Sequence, residues 1–121
     1  MNQKQAFVAW MGWPTEWATM IEQWEMVPLE IGGTTAGLAA LDGTEIHFAL
    51  DPQWRGVAIT RKRARAFIAP LISKRGYLTT RAQKPDRKQR SFLLRFGFRK
   101  TWADADIEHF MLTCLPFDKR N

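Results

Sequence analysis

Apolar and polar positions alternate from Thr44 to Leu50, with Thr44, Ile46, Phe48 and Leu50 on one side and Glu45, His47 and Ala49 on the other. That period of two predicts a half-buried strand. Asp42-Gly43 just before it is a hairpin signal of the type I′ kind, so Thr34 to Leu41 is expected to be the antiparallel partner. Gly32-Gly33 predicts a further turn. Asp51-Pro52 closes the second strand.

From Thr60 the period changes. Ala64, Phe67, Ile68, Leu71 and Ile72 recur at helical spacing, with Pro70 inside the pattern and Gly76 after it. Tyr77 to Ala82 then reads as a strand, which makes strand, helix and strand a right-handed parallel βαβ unit. A second helix opens at Asp86, a good N-cap with Gln89 three residues on, buries Phe92, Leu93 and Phe96, and stops at Gly97. Phe98 to Trp102 and Ile107 to Leu115 follow as strands. Near the N-terminus, Trp17, Met20, Ile21 and Trp24 predict an amphipathic helix from Pro14 to about Glu25, ended by Pro28. Ala6 to Met11 reads as a short strand or an anchored arm. The class is α+β, with a mixed, mostly antiparallel sheet, a central parallel βαβ unit and flanking helices.

A chain of 121 residues suits one domain with one hydrophobic core. A hydrophobic fraction of 45% against 25% charged argues for a folded protein. The one cysteine, Cys114, excludes an internal disulfide and a cysteine-rich zinc site, and its apolar surroundings predict a buried thiol. No apolar run has the length of a membrane span and the N-terminus lacks the apolar core of a signal peptide, so a soluble cytoplasmic protein is expected.

The net charge is +6, and cations cluster between Arg55 and Lys100. Arg61, Lys62, Arg63 and Arg65 stand in the first turn of the central helix, where they oppose the positive end of its dipole. A bound polyanion turns that penalty into attraction, because N–H groups and side chains then face negative charge together. The loop from Asp51 to Thr60 is therefore the expected anion site. A plain solvated basic face is the competing explanation. A nucleic-acid module is the weakest reading, since neither a recognition helix nor an aromatic sheet signature is legible.

The same residues, Leu50 to Thr60 (LDPQWRGVAIT), resemble the acyl-CoA loop of the GNAT acyltransferase superfamily. There a strand ends in an Arg-Gly-bearing turn and opens a helix whose amides hold the CoA pyrophosphate. Asp86 to Phe98 (DRKQRSFLLRFGF) resembles that superfamily's later motif, with Gly97-Phe98 at its end. The resemblance covers about residues 34–115. It implies a single GNAT-like domain over 1–121, with 1–33 an abbreviated helical part and 34–115 the acyl-CoA-binding core. It also implies acetyl-CoA as cofactor and an amine as acceptor, with Arg55, Gly56, Val57, Ala58, Ile59, Thr60 and Arg61 on the pyrophosphate and Phe48, Ala49 and Leu50 along the pantetheine arm. In the family a glutamate on the strand before the loop often takes the amine proton. Glu45 and His47 hold that place here, and the alternative is that they form the polar side of a half-buried strand. Glu108 and His109 are weaker candidates.

Some positions depart from the family pattern. Ala58 and Thr60 replace small glycines, and Leu93 stands where many members carry a tyrosine that protonates the leaving thiolate. The short length and these replacements are similar to GNAT-like proteins of tailed phages. That kinship implies the alternative of an internal virion or structural protein with other virion proteins as partners and no catalysis.

Overall fold

The computed structural model describes residues 2–55, 60–84 and 86–113, and of Arg61, Lys88, Phe92 and Arg95 only the main chain. The chain divides into two compact units, residues 1–58 and 59–121, each with three antiparallel strands. The expected class holds: an α+β chain of six strands, mostly antiparallel, with helices flanking them.

In the first unit, helix α1 (Gln3–Met11) replaces the expected strand or arm. Its start is a capping box: the Asn2 carboxamide accepts from the Gln5 N–H at 2.8 Å, and the Gln5 side chain accepts from the Asn2 N–H at 3.0 Å. Gly12 ends it at φ 75°, a conformation that favours glycine. Phe7 and Val8 are buried and pack with Ile21, Leu38, Ala40 and Ala49.

The long helix expected from Pro14 is one turn, α2 (Trp17–Met20). The chain leaves it to form an unforeseen strand, β1 (Glu25–Ile31), which pairs with β2 (Thr34–Asp42) from Glu25↔Leu41 to Ile31↔Thr34. From Glu25 on, pairing with β2 satisfies the main-chain groups. Met20, counted on the buried stripe, is 72% exposed. Pro28 is tolerated because β1 pairs on one side only and lacks nothing by missing an N–H on the other.

Gly32 and Gly33 turn between these strands at φ 60° and 80°, as a type I′ turn demands. β2 meets β3 (Glu45–Leu50) in the expected hairpin, but Asp42 pairs with Glu45, so the loop residues are Gly43 and Thr44. Positive φ falls on Gly43 alone, the pattern of a type II′ turn instead of I′.

The second unit follows the sequence closely. Helix α3 (Arg61–Arg75) has Thr60 as N-cap, its hydroxyl accepting from the Arg63 N–H, and Gly76 as C-cap at φ 85°. Ala64, Ile68 and Leu71 are its buried positions, and Pro70 lies on its exposed side. After β4 (Leu78–Gln83), Asp86 caps helix α4 (Arg87–Arg95) by accepting from the Gln89 N–H at 2.9 Å. β5 (Arg99–Ala103) and β4 both pair with β6 (Ile107–Leu112). Cys114, like Gly56, Val57, Ala58 and Ile59, lies outside the described residues.

Candidate active site

The alternation of β3 puts Glu45, His47 and Ala49 on one face. Ala49 is buried in the cluster under α1 and Ile46 is buried on the other side, so both faces of β3 are covered. His47 is accordingly 11% exposed by side chain and Glu45 28%. They are not the solvated side of a strand.

Glu45 Oε2 lies 2.6 Å from His47 Nε2. An ionised carboxylate only accepts, so Nε2 carries the hydrogen, and in the neutral ring the lone pair is then on Nδ1. Trp24 stacks on the imidazole with centroids 5.5 Å apart and planes 13° apart, and Trp13 meets it edge-on at 6.2 Å. Trp13 is in turn edge-on to Phe7 at 5.5 Å, which ties the imidazole to α1. A hydrogen-bonded base between two indoles has a fixed ring plane and little contact with water. That is the environment a general base needs. The sequence placed Glu45 and His47 on one face; of the indoles around them it offered Trp24 only as part of a helical stripe.

The loop after β3 starts with Asp51, whose carboxylate accepts from the Gln53 N–H at 2.9 Å and caps the 3-10 turn Pro52–Trp54. Arg55 is exposed, and its guanidinium donates to the main-chain carbonyl of Trp10. The residue expected on a phosphate is thus bonded to the end of α1. Of the other expected cofactor residues, Thr60 caps α3 and Arg61 is its first residue. No acid stands in the first turn of α3, and Lys62, Arg63 and Arg65 are exposed there. This donor set fits a polyanion such as the CoA pyrophosphate. Phe48 and Leu50 are half-buried, and the ring of Phe48 lies over Gly37.

The remaining candidates are placed differently. Glu108 is buried between Arg90 Nε at 3.4 Å and Lys100 Nζ at 3.7 Å, an ion-paired support joining α4, β5 and β6. His109 lies beneath Trp102. Leu93, at the family's tyrosine position, is buried. Among the described residues no cluster of metal-ligating side chains occurs, and no helix is long and apolar enough to cross a membrane.

No protein-family model matches the chain, and no curated protein matches it by sequence. Solved structures do. A GNAT family acetyltransferase from Elizabethkingia anophelis with acetyl-CoA bound superposes with a TM-score of 0.69 at 11% identity, over 94% of this chain and 92% of that one. The fold is that of the GNAT acetyltransferases. An IAA acetyltransferase from Bacillus cereus gives a TM-score of 0.66 at 12% identity over 93% of each chain. A GNAT acetyltransferase from Listeria monocytogenes gives 0.64 at 8% identity, over 88% of this chain and 75% of that one. At such identities the GNAT likeness is one of fold, and it agrees with the motifs around Arg55 and Gly97.

Proposed function

We propose that this GNAT-fold chain, acting as one domain over 1–121 in the cytoplasm, is an N-acetyltransferase that moves the acetyl group of acetyl-CoA to an amine. The observation that carries this is the His47–Glu45 pair, held between Trp13 and Trp24 on the strand that leads into the loop before α3. Acetyl-CoA supplies the thioester. His47 Nδ1 accepts the proton that the amine nitrogen gives up as its bond to the acetyl carbon forms and the C–S bond breaks, and CoA leaves as the thiolate, which takes a proton from solvent. Glu45 keeps the imidazole in the tautomer and plane this requires. The loop from Arg55 through Gly56, Val57, Ala58, Ile59 and Thr60 to Arg61 holds the pyrophosphate on main-chain N–H groups, and the main chain of Phe48, Ala49 and Leu50 runs beside the pantetheine arm. The acid-free first turn of α3 supports this placement.

A second reading keeps the fold without the reaction, as in the phage virion proteins that the sequence resembles. It is favoured by the buried Leu93 and by the engagement of Arg55 with Trp10. Titration calorimetry with acetyl-CoA, followed by an acetyl-transfer assay over a panel of amines, separates the two. Binding with turnover is expected. Neither heat nor a thermal shift at saturating acetyl-CoA refutes the enzyme, and binding without turnover of any amine favours the silent fold.

A further inference from the structure

The charge of the chain is segregated. Residues 59–121 hold sixteen of the eighteen Lys and Arg and five of the twelve Asp and Glu, a net +11; residues 1–58 hold two and seven, a net −5. The start of α3 accounts for four of those cations, Arg61, Lys62, Arg63 and Arg65. Lys74, Arg81, Lys84, Arg87 and Arg99 are exposed beyond it.

Charge by itself describes only a solvated surface, but the sheet of this unit adds an aromatic group to it. Arg99 pairs with Met111 and Lys100 with Phe110; then the register shifts, so that Trp102 pairs with His109. Thr101 is the extra residue of this bulge, and its hydroxyl donates to the His109 carbonyl at 3.2 Å. In an unbroken register Trp102 would oppose Glu108, on the face of the buried Phe110 and Leu112. The bulge sends the indole to the opposite face. There it lies flat on the His109 ring, centroids 3.8 Å apart and planes 8° apart, and still keeps 56% exposure. With one ring face against His109, the exposure is left to the other face and the ring edges. Arg81, exposed, pairs with His109 from β4, so Arg81, His109 and Trp102 form one row across three strands, with Arg99 in the next row.

We propose that this row is a binding platform for single-stranded nucleic acid. A base stacks on the outer face of Trp102, and the phosphates on either side meet Arg81, Arg99 and the surrounding cations. Stacking on an indole with cations along the backbone requires no reading of base edges, so the platform tolerates many sequences. The inference is independent of acetyl transfer.

The test is fluorescence anisotropy of the full chain with a labelled oligouridylate or oligothymidylate of about a dozen nucleotides, the length one small domain covers. Binding is expected at low salt, with the logarithm of affinity falling linearly in the logarithm of salt. Trp102→Ala is expected to weaken it about tenfold, and Trp102→Phe by less. Arg99→Gln, at an exposed site, reads the same patch if Trp102→Ala lowers the melting temperature. Equal affinity of Trp102→Phe, Trp102→Ala and wild type overturns the platform. So does equal affinity for poly-glutamate or for duplex DNA of the same charge. Competition by acetyl-CoA overturns it too, by putting the strand on the loop before α3.

Discussion

Glu45 and His47, two residues apart on β3, are joined by a 2.6 Å contact between Oε2 and Nε2 on the face that the first unit buries under its aromatic residues. If His47 is the base, His47→Gln lowers kcat by about 10²–10⁴-fold and leaves acetyl-CoA affinity unchanged. Glu45→Gln lowers it less and alters the pH profile, since it changes only the orientation and partner of the ring. Parallel losses of activity and of melting temperature would instead mark the pair as structural.

Arg55 ties the loop after β3 to the carbonyl of Trp10. Arg55→Ala is expected to lower stability by about 1 kcal/mol, the net worth of one hydrogen bond, as read from denaturant unfolding. If the same guanidinium also reaches a phosphate, acetyl-CoA affinity falls by a further 1.5–3 kcal/mol, roughly the value of a charge-assisted contact. Unchanged affinity in calorimetry would confine Arg55 to its role as a strut.

Gly37 has no room for a side chain. A Cβ there would stand 2.8 Å from Phe48 Cζ, 3.0 Å from the Ala49 carbonyl oxygen and 3.3 Å from Leu50 Cδ2. Gly37→Ala is expected to cost about 1–3 kcal/mol by overpacking, measured as a lower denaturation midpoint. Phe48→Leu in the same chain recovers part of it, because the carbonyl contact remains.

Asp104 accepts from the N–H groups of Ile107 and Asp106, and these bonds hold its carboxyl below the ordinary value of 3.8. A carboxylate depressed on folding stabilises the folded state above its unfolded pKa, and that contribution fades as pH falls through the folded one. Asp104→Asn should therefore lower stability at neutral pH and converge on wild type as pH falls below about 4, which flattens the acid limb. An acid limb identical to wild type would show that this turn does not contribute.

Local chemistry was legible where a single residue decides an outcome. Thr60 and Gly76 bracket α3, Asp86 caps α4, and Gly32-Gly33 turns the chain, each through its own main-chain geometry. The Asn2–Gln5 capping box was equally local, and its helix could have been read from it. Glu45 and His47 shared a face in the sequence because a strand's period is two. What joined them to Trp13 and Trp24 was the path of the chain between α1 and β1.

The sequence by itself determined the helices and turns of residues 60–113, the β2–β3 hairpin, and the loop motif that resembles an acyl-CoA site. Their signals act within one turn of helix or one hairpin. Tertiary structure decided β1, the closure of the tryptophans over His47, and the bulge that turns Trp102 outward. Trp17 to Trp24 fits a helix by period, but cross-strand pairing, which reaches from Glu25 as far as Leu41, claims the chain from Glu25 on. The register of β5 depends in the same way on a partner strand, and a shift of one residue there moves an indole from the buried face to the open one.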